Sequence, residues 1–415
     1  MVILITEIIY AMIGVFMKIK NIKLINNSCT GCMLCKFVCP VNAIVTTTNH
    51  EGFSYPKIIE DNCLNCGICL NNCPSNSLIK SNYPLEAFVS ISKYPKETIK
   101  STTAGTFFYA ARNFIEIKNG FVCGAVFDEL NDLKHIVSNK LSDITRMQGS
   151  KYVQSDISEC YEPIKNLLLK NIPVLFTGTP CQVAAMYRYL EYTHTSLESF
   201  YSIDIVCHGV PSPLFFKKHI FDIDATKKIK SISFRDKNIH EPSSYRLKLT
   251  YSDGTINNKY FYEDSYFNTF MSGISLRESC YLCKYSTPKR VGDISLGDCN
   301  CRKDYIQMEK EQPLGDIMIN TQNGKEIWKS INKNLIFKNL DYCKEINTNK
   351  QLSKPCTRVK DRDLIYRDLF TLDSIHFEKK YTKHLSIYEK LKYLIKHNTK
   401  NSTRWFFLKL FNRSR

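Results

Sequence analysis

The sequence is narrowed first by what it lacks. No G-x-G-x-x-G run occurs anywhere in its 415 residues, so no Rossmann-type fingerprint supplies a dinucleotide fold. No uninterrupted apolar stretch reaches the roughly 20 residues that a spanning helix needs. The nearest, MVILITEIIYAMIGVFM, ends at Met17, contains Glu7, and has neither a basic start nor a small-residue cleavage site. Because Met17 leads into KIKNIKLINNSCTGC, a conventional approach to a cysteine-rich module, translation is expected to begin there, with the residues ahead of it an over-extended leader. The even cysteine spread of a disulfide-stapled secreted chain is also missing: of 18 cysteines, eight fall between Cys29 and Cys73. Such clustering indicates metal rather than bridges. Thiolates that hold metal need a reducing compartment, so a cytoplasmic location is expected.

Composition is ordinary for a globular chain, 43% hydrophobic and 23% charged, with length for two or three domains. The formal charge of +17 is uneven, since His376 to Arg415 hold eleven Lys and Arg against Glu378 and Glu389. Iron-sulfur clusters with their thiolates would each add about −2. The rest of the chain is then closer to neutral, and nucleic acid is not expected as a partner. In the basic tail, Ile387, Leu391, Leu394 and Ile395 fall at helical spacing, followed by Trp405, Phe406, Phe407, Leu408 and Phe411 among Arg and Lys. That pattern suits a membrane-surface contact at the inner face of the cell membrane; docking on the body, or a dimer contact, stays open.

CTGCMLCKFVCP supplies Cys29, Cys32, Cys35 and Cys39, and CLNCGICLNNCP supplies Cys63, Cys66, Cys69 and Cys73. Both match the C-x2-C-x2-C-x3-C-P run of 4Fe-4S ferredoxins, in which the fourth cysteine ligates the other cluster. Crossed sets follow: Cys29, Cys32, Cys35 and Cys73 for one cluster, Cys63, Cys66, Cys69 and Cys39 for the other. Zinc sites separate two C-x2-C pairs and require neither a third cysteine nor a doubled C-P. Small clusters carry single electrons, so a converter such as a flavin is expected downstream.

Organisation is read as a leader (1–20), a two-cluster ferredoxin module (21–83), a mixed α/β body in two parts (84–165 and 166–345), and a basic helical tail (346–415). The fold class is therefore multidomain α+β or α/β. After Pro84, AFVSISK, FFYAARNFIEI and FVCGAVFDE alternate β-type and helical patterns. PVLFTG at 173–178, the helical VAAMYRYLEY and SFYSIDIVC at 199–207 suggest a β-α-β unit. Open α/β sheets bind ligands beyond the carboxyl ends of such strands, which makes Gly178-Thr179-Pro180-Cys181 and Cys207-His208-Gly209 site candidates.

Five ordered motifs, GSKYVQS at 149–155, FTGTPCQVAA at 176–185, DIVCHGVPSP at 204–213, ISFRDK at 232–237 and SCYLCKYSTPKRVGDISLGD at 279–298, resemble the coenzyme F420 hydrogenase/dehydrogenase beta-subunit family. With the ferredoxin module attached, the chain looks like the branch found with bacterial surface-polysaccharide genes. The resemblance implies FAD in a non-Rossmann body, fed by the clusters, and a hydride acceptor or donor at the flavin. Lys151, Tyr152, Gln154 and Ser155 would line the flavin site, with Thr179, Pro180 and Gln182 at its other wall. The family's glycine-rich turn corresponds to Ser101-Thr102-Thr103-Ala104-Gly105, where Thr102, Thr103 and Gly105 retain phosphate or ring contacts while Ala104 replaces a glycine.

Cys181, Cys207, Cys280 and Cys283 each sit inside a matched motif and could hold a third 4Fe-4S cluster; small buried core residues and a local turn are the other reading. Cys299 and Cys301 occupy GDCNC, where the family usually has an aromatic, and are assigned no metal. Asp293 and Asp298 could position a substrate or flavin hydroxyl, or simply end a strand. His208 could donate a proton in catalysis or be a satisfied hydrogen-bonding histidine. The leading expectation is a flavin- and cluster-dependent oxidoreductase reduced by ferredoxin or a similar carrier and acting on a small molecule or lipid-linked sugar. The alternatives are a non-catalytic electron-transfer subunit and an F420 reductase or dehydrogenase subunit, the latter eliminated by a host that lacks the coenzyme.

Overall fold

β1 (Ile44–Thr48) and β2 (Ser54–Ile58) form a two-stranded antiparallel ribbon flanked by short helical turns at Leu34–Phe37 and Ile68–Asn71. This is the ferredoxin module of a computed structural model that describes residues 20–77, 79–236, 245–309 and 312–383, with 385, 386 and 389. The leader through residue 19, and the tail residues Ile387, Leu391, Leu394, Ile395, Trp405, Phe406, Phe407, Leu408 and Phe411, lie outside the described residues. No described helix is long and apolar enough to cross a membrane.

The body is a mixed α/β structure around an eight-stranded sheet. Its strands are β3 (Glu86–Ser92), β4 (Phe121–Phe127), β5 (Leu133–Ser138), β6 (Val174–Gly178), β7 (Phe200–Ile205), then β11 (Ile294–Asp298), β12 (Gly315–Ile319) and β13 (Leu335–Asn339). Their order is β13-β3-β12-β11-β7-β6-β4-β5. β4, β6, β7 and β11 run parallel, and the outer pairings are antiparallel. Helix Pro180–Tyr192 links β6 to β7, the β-α-β unit that the sequence predicts. Alternate residues of β6 face opposite layers: Val174 and Phe176 join a core shared with the ferredoxin module, while Leu175 packs in the core that contains helices Thr106–Glu116 and Gln322–Ile331. A strand covered on both faces reads as a continuous apolar run, as PVLFTG does.

β8 (Ile229–Ser233), β9 (Arg246–Tyr251) and β10 (Ile256–Tyr260) form a separate antiparallel sheet. Its aromatic core gathers Phe215, Phe216, Phe234, Tyr266 and Phe267. Helices Arg362–Thr371 and Ser374–Tyr381 pack into that core through Ile365, Tyr366, Leu369, Phe377 and Tyr381. The expected tail boundary at 346 therefore needs correction: the chain remains part of the body through Tyr381, because these apolar side chains fill an aromatic core that the β8–β10 sheet alone leaves open.

Candidate redox centre

The two cysteine motifs fold alike. Gly31 and Asn65 hold equivalent positions, as do Met33 and Gly67, and all four have positive φ, at 72°, 50°, 59° and 81°. Alternating left-handed residues curl a chain so that successive N–H groups can face a bound anionic centre. Cys35 lies within electrostatic range of Cys32, Cys29, Cys73 and, least strongly, Cys69, and Cys69 within range of Cys66 and Cys39, so the fourth cysteine of each motif stands near the first three of the other. Among the described residues, none of these thiols belongs to a group of three ligand atoms lying within 4.8 Å of one another. Burial pushes the Cys73 thiol up to about 12, so cluster assembly must displace its proton.

Inner and outer cluster sites differ in environment. Cys66 is exposed and Cys69 buried in the outer set, whereas the inner set has no exposed member and buries both Cys35 and Cys73. Arg277, 1% exposed, donates to the Cys29 carbonyl at 2.7 Å, the Ser54 carbonyl at 2.9 Å and Gln154 Oε1 at 3.0 Å. Tyr161 donates to the Cys32 carbonyl, Tyr285 to the Pro74 carbonyl and Lys284 to the Ser75 carbonyl. None of these docking residues was singled out from sequence, because each contacts backbone far away in the chain.

A cavity between module and body is lined by Cys181, Cys207, Cys280 and Cys283 together with Gln154, Thr179, Pro180, Gln182 and His208. The structure thus brings together four cysteines that are up to 102 positions apart in sequence. Burial raises the Cys181 thiol, with Cys283, Cys207 and the module's Cys32 adding to it. Burial likewise takes Cys207 and Cys280 to about 12. Gln182 fixes the cavity wall: its Oε1 accepts from the Thr179 N–H at 3.0 Å, and its amide donates to Ser155 Oγ at 2.9 Å.

Other predicted residues separate into two places. Thr102 bonds Ser150 Oγ at 2.8 Å, and Thr103 abuts Gly315, beside the N-terminus of helix Thr106–Glu116. Gly105, at φ 76°, is the N-cap of that helix, and no side chain caps it; an uncapped helix N-terminus next to two threonines is chemistry that suits a phosphate. Lys151 turns its amine to the carbonyls of Met147 and Gln148 at 3.0 and 3.1 Å, and burial lowers it to about 7. The amine therefore closes the C-terminus of helix Leu141–Met147 instead of lining the cavity.

Beyond β7 and β11, Asp298 pairs with Arg235 and accepts from Tyr245 at 3.1 Å. Tyr152 and His208 are within electrostatic range of this group. Burial holds His208 below its ordinary value, partly offset by Asp298, so it is neutral at pH 7. Arg235 belongs to the ISFRDK motif, but its role was not legible until Asp298 was placed beside it. Asp293 is a correction. It sits just ahead of β11, about 16 Å along extended chain from Asp298, and its carboxylate bonds Ser202, Thr321 and Tyr187. Both of its oxygens are engaged, and it staples β7 to its neighbouring helices.

Residues 28–77 match the family model of a 4Fe-4S dicluster domain, and residues 173–342 match the model for the C terminus of the coenzyme F420 hydrogenase/dehydrogenase beta subunit. Residues 173–342 therefore form a domain of that beta-subunit type. All eight module cysteines fall in the dicluster match and all four cavity cysteines in the beta-subunit match. This beta-subunit homologue is an iron-sulfur redox protein suited to electron transfer. Among solved structures, a chain of the F420-reducing NiFe hydrogenase complex from Methanosarcina barkeri is similar at 16% identity and TM-score 0.44, covering 65% of this chain and 91% of that one. No curated protein matches the chain.

Proposed function

We propose that the chain is an iron-sulfur flavoprotein oxidoreductase that moves electrons between ferredoxin-type 4Fe-4S clusters and FAD, and so to or from an organic substrate. The observation that carries the reading is three cysteine sets in series. Cys39, Cys63, Cys66 and Cys69 would form the outer set and Cys29, Cys32, Cys35 and Cys73 the inner one, while Cys181, Cys207, Cys280 and Cys283 line the cavity, with Cys32 within electrostatic range of Cys181. The clusters would supply one-electron transfer, and FAD the conversion to two-electron chemistry.

The chain's own residues position and insulate that series. Arg277, Tyr161 and Tyr285 lock the module against the body and exclude water from the inner set. Thr102, Thr103 and the uncapped helix at Gly105 would hold the flavin's phosphates. Tyr152, Arg235 and Asp298 offer donors and a carboxylate at the carboxyl ends of the parallel strands, where His208 can accept or deliver a proton. A sugar nucleotide or lipid-linked sugar is the proposed substrate class, a choice that rests on the resemblance to the branch found with surface-polysaccharide genes.

Iron, acid-labile sulfide and flavin are to be quantified per chain after anaerobic purification. About twelve irons with one FAD supports the full reading, and about eight returns the cavity cysteines to core packing. No flavin, even after reconstitution, favours an electron-transfer subunit; zinc in place of iron in the cysteine motifs overturns both.

A further inference from the structure

We propose that Cys299, Cys301, Glu345 and Asp316 form a separate structural site for one zinc-class divalent cation. β11 ends at Asp298, and the next three residues turn back so that both cysteines point inward. β12 pairs with β11 and brings Asp316 alongside, and helix Tyr342–Thr348 supplies Glu345. The four are 5%, 4%, 1% and 0% exposed for Cys299, Cys301, Asp316 and Glu345.

Geometry sets this group apart from the cluster motifs. The two sulfurs are 3.9 Å apart, and Cys299 Sγ is 4.0 Å from Glu345 Oε2. These three ligand atoms all lie within 4.8 Å of one another, the one such group among the described residues. Tetrahedral zinc places two thiolates about 3.8 Å apart, which matches the observed pair. Glu345 is already oriented: Oε2 accepts from the Cys301 N–H at 2.9 Å, and Oε1 accepts from the Asn300 N–H at 3.1 Å and Asn349 Nδ2 at 3.0 Å. Anchoring of that kind holds a ligand oxygen in place for a metal.

Asp316 supplies the independent observation. Neither of its buried carboxylate oxygens meets a donor at ordinary hydrogen-bond geometry, and the groups close enough to interact with it include the Cys299 thiol and the Glu345 carboxyl. No described Lys or Arg forms an ion pair with either acid. Two buried carboxylates facing two thiols without a cation are expensive to desolvate; one divalent ion held by Cys299, Cys301 and Glu345, with the adjacent Asp316 drawn in as fourth ligand, offsets that cost. The S2O2 donor set suits zinc better than magnesium or calcium, which prefer oxygen alone. Binding would expel the thiol protons and pin the turn immediately after Asp298, which holds Arg235. The expectation that Cys299 and Cys301 hold no metal is therefore reversed: the other two ligands are distant in sequence, and only strand pairing and helix packing bring them in.

The test uses the full chain, purified anaerobically and exposed to Zn2+ before desalting. About one zinc per chain in addition to the iron is expected, with two sulfur and two oxygen neighbours by zinc-edge X-ray absorption. Cys299→Ser/Cys301→Ser should lose that zinc while iron and sulfide per chain stay unchanged. Asp316→Asn should weaken zinc retention against a chelator by about tenfold or more, a readout that survives if the double variant does not fold. Zinc below about 0.1 per chain, a four-sulfur shell, a Cys299–Cys301 disulfide in the intact mass, or zinc retained by the double variant would each overturn the proposal.

Discussion

Arg277 illustrates how one buried side chain joins two parts of a protein. Three of its N–H groups satisfy Cys29, Ser54 and Gln154, and its guanidinium lies 4.1 Å from the Tyr55 ring centroid. Arg277→Met keeps the bulk but strands three buried acceptors, each costing about 1–3 kcal/mol. The expected loss is about 3 kcal/mol or more, read from the urea midpoint of the cluster-loaded protein. His219 and Asp264, buried and 2.8 Å apart, predict a pH dependence. Burial alone would lower His219, but Asp264 raises it above its ordinary 6.5; burial would raise Asp264, but His219 holds it below 3.8. The histidine's contribution is complete below 6.5 and is lost as pH rises through the raised folded value. The aspartate's contribution is present above 3.8 and is lost as pH falls through the lowered one. The stability gap between the protein and His219→Gln should therefore narrow as pH rises above the ordinary 6.5 and through the raised folded value, and a constant gap in urea midpoints would refute the pairing.

Between elements, the two cysteine turns share a backbone but not surroundings. A Cβ at Gly31 would stand 2.7 Å from Gln154 Nε2 and 2.8 Å from Arg277 Nη1, whereas one at Gly67 meets nothing nearer than 3.3 Å. Both glycines are left-handed, so alanine costs about 1–2 kcal/mol at either, and only Gly31→Ala also wedges the module from the body. Thermal unfolding should show the larger drop for Gly31→Ala; equal drops would mean that the docking contacts contribute nothing. At the β6 turn, Gln182→Leu breaks the link between Thr179 and Ser155 and should cost about 2 kcal/mol. Denaturant titration of the cluster-loaded protein measures that loss.

For the molecule as a whole, module and body share one core. Ile22, Leu34, Val38 and Ile44 belong to the same buried cluster as Tyr161, Val174, Phe176 and Tyr189. Arg362 adds a buried ion pair to Glu51, tying helix Arg362–Thr371 to the β1–β2 turn. Unfolding should therefore be a single transition in which visible cluster absorbance and far-ultraviolet dichroism change together. If absorbance were lost at clearly lower denaturant, the module would be an independent domain.

Short-range spacing alone determined the two ferredoxin motifs, because three cysteines within seven residues and a following Cys-Pro have few chemical alternatives. The β6-helix-β7 unit was equally legible, since an apolar run, a Thr-Pro turn and a helical pattern are all local signals. Tertiary structure alone decided which cysteines meet in the cavity, that Asp293 is a staple and Lys151 a helix closure, and that Asp316 and Glu345 stand beside Cys299 and Cys301. Except for Lys151, whose carbonyl partners are one helical turn away, the partners are distant in sequence, and the packing of strands ordered β12-β11-β7-β6 with their helices sets their separation, which no local pattern encodes.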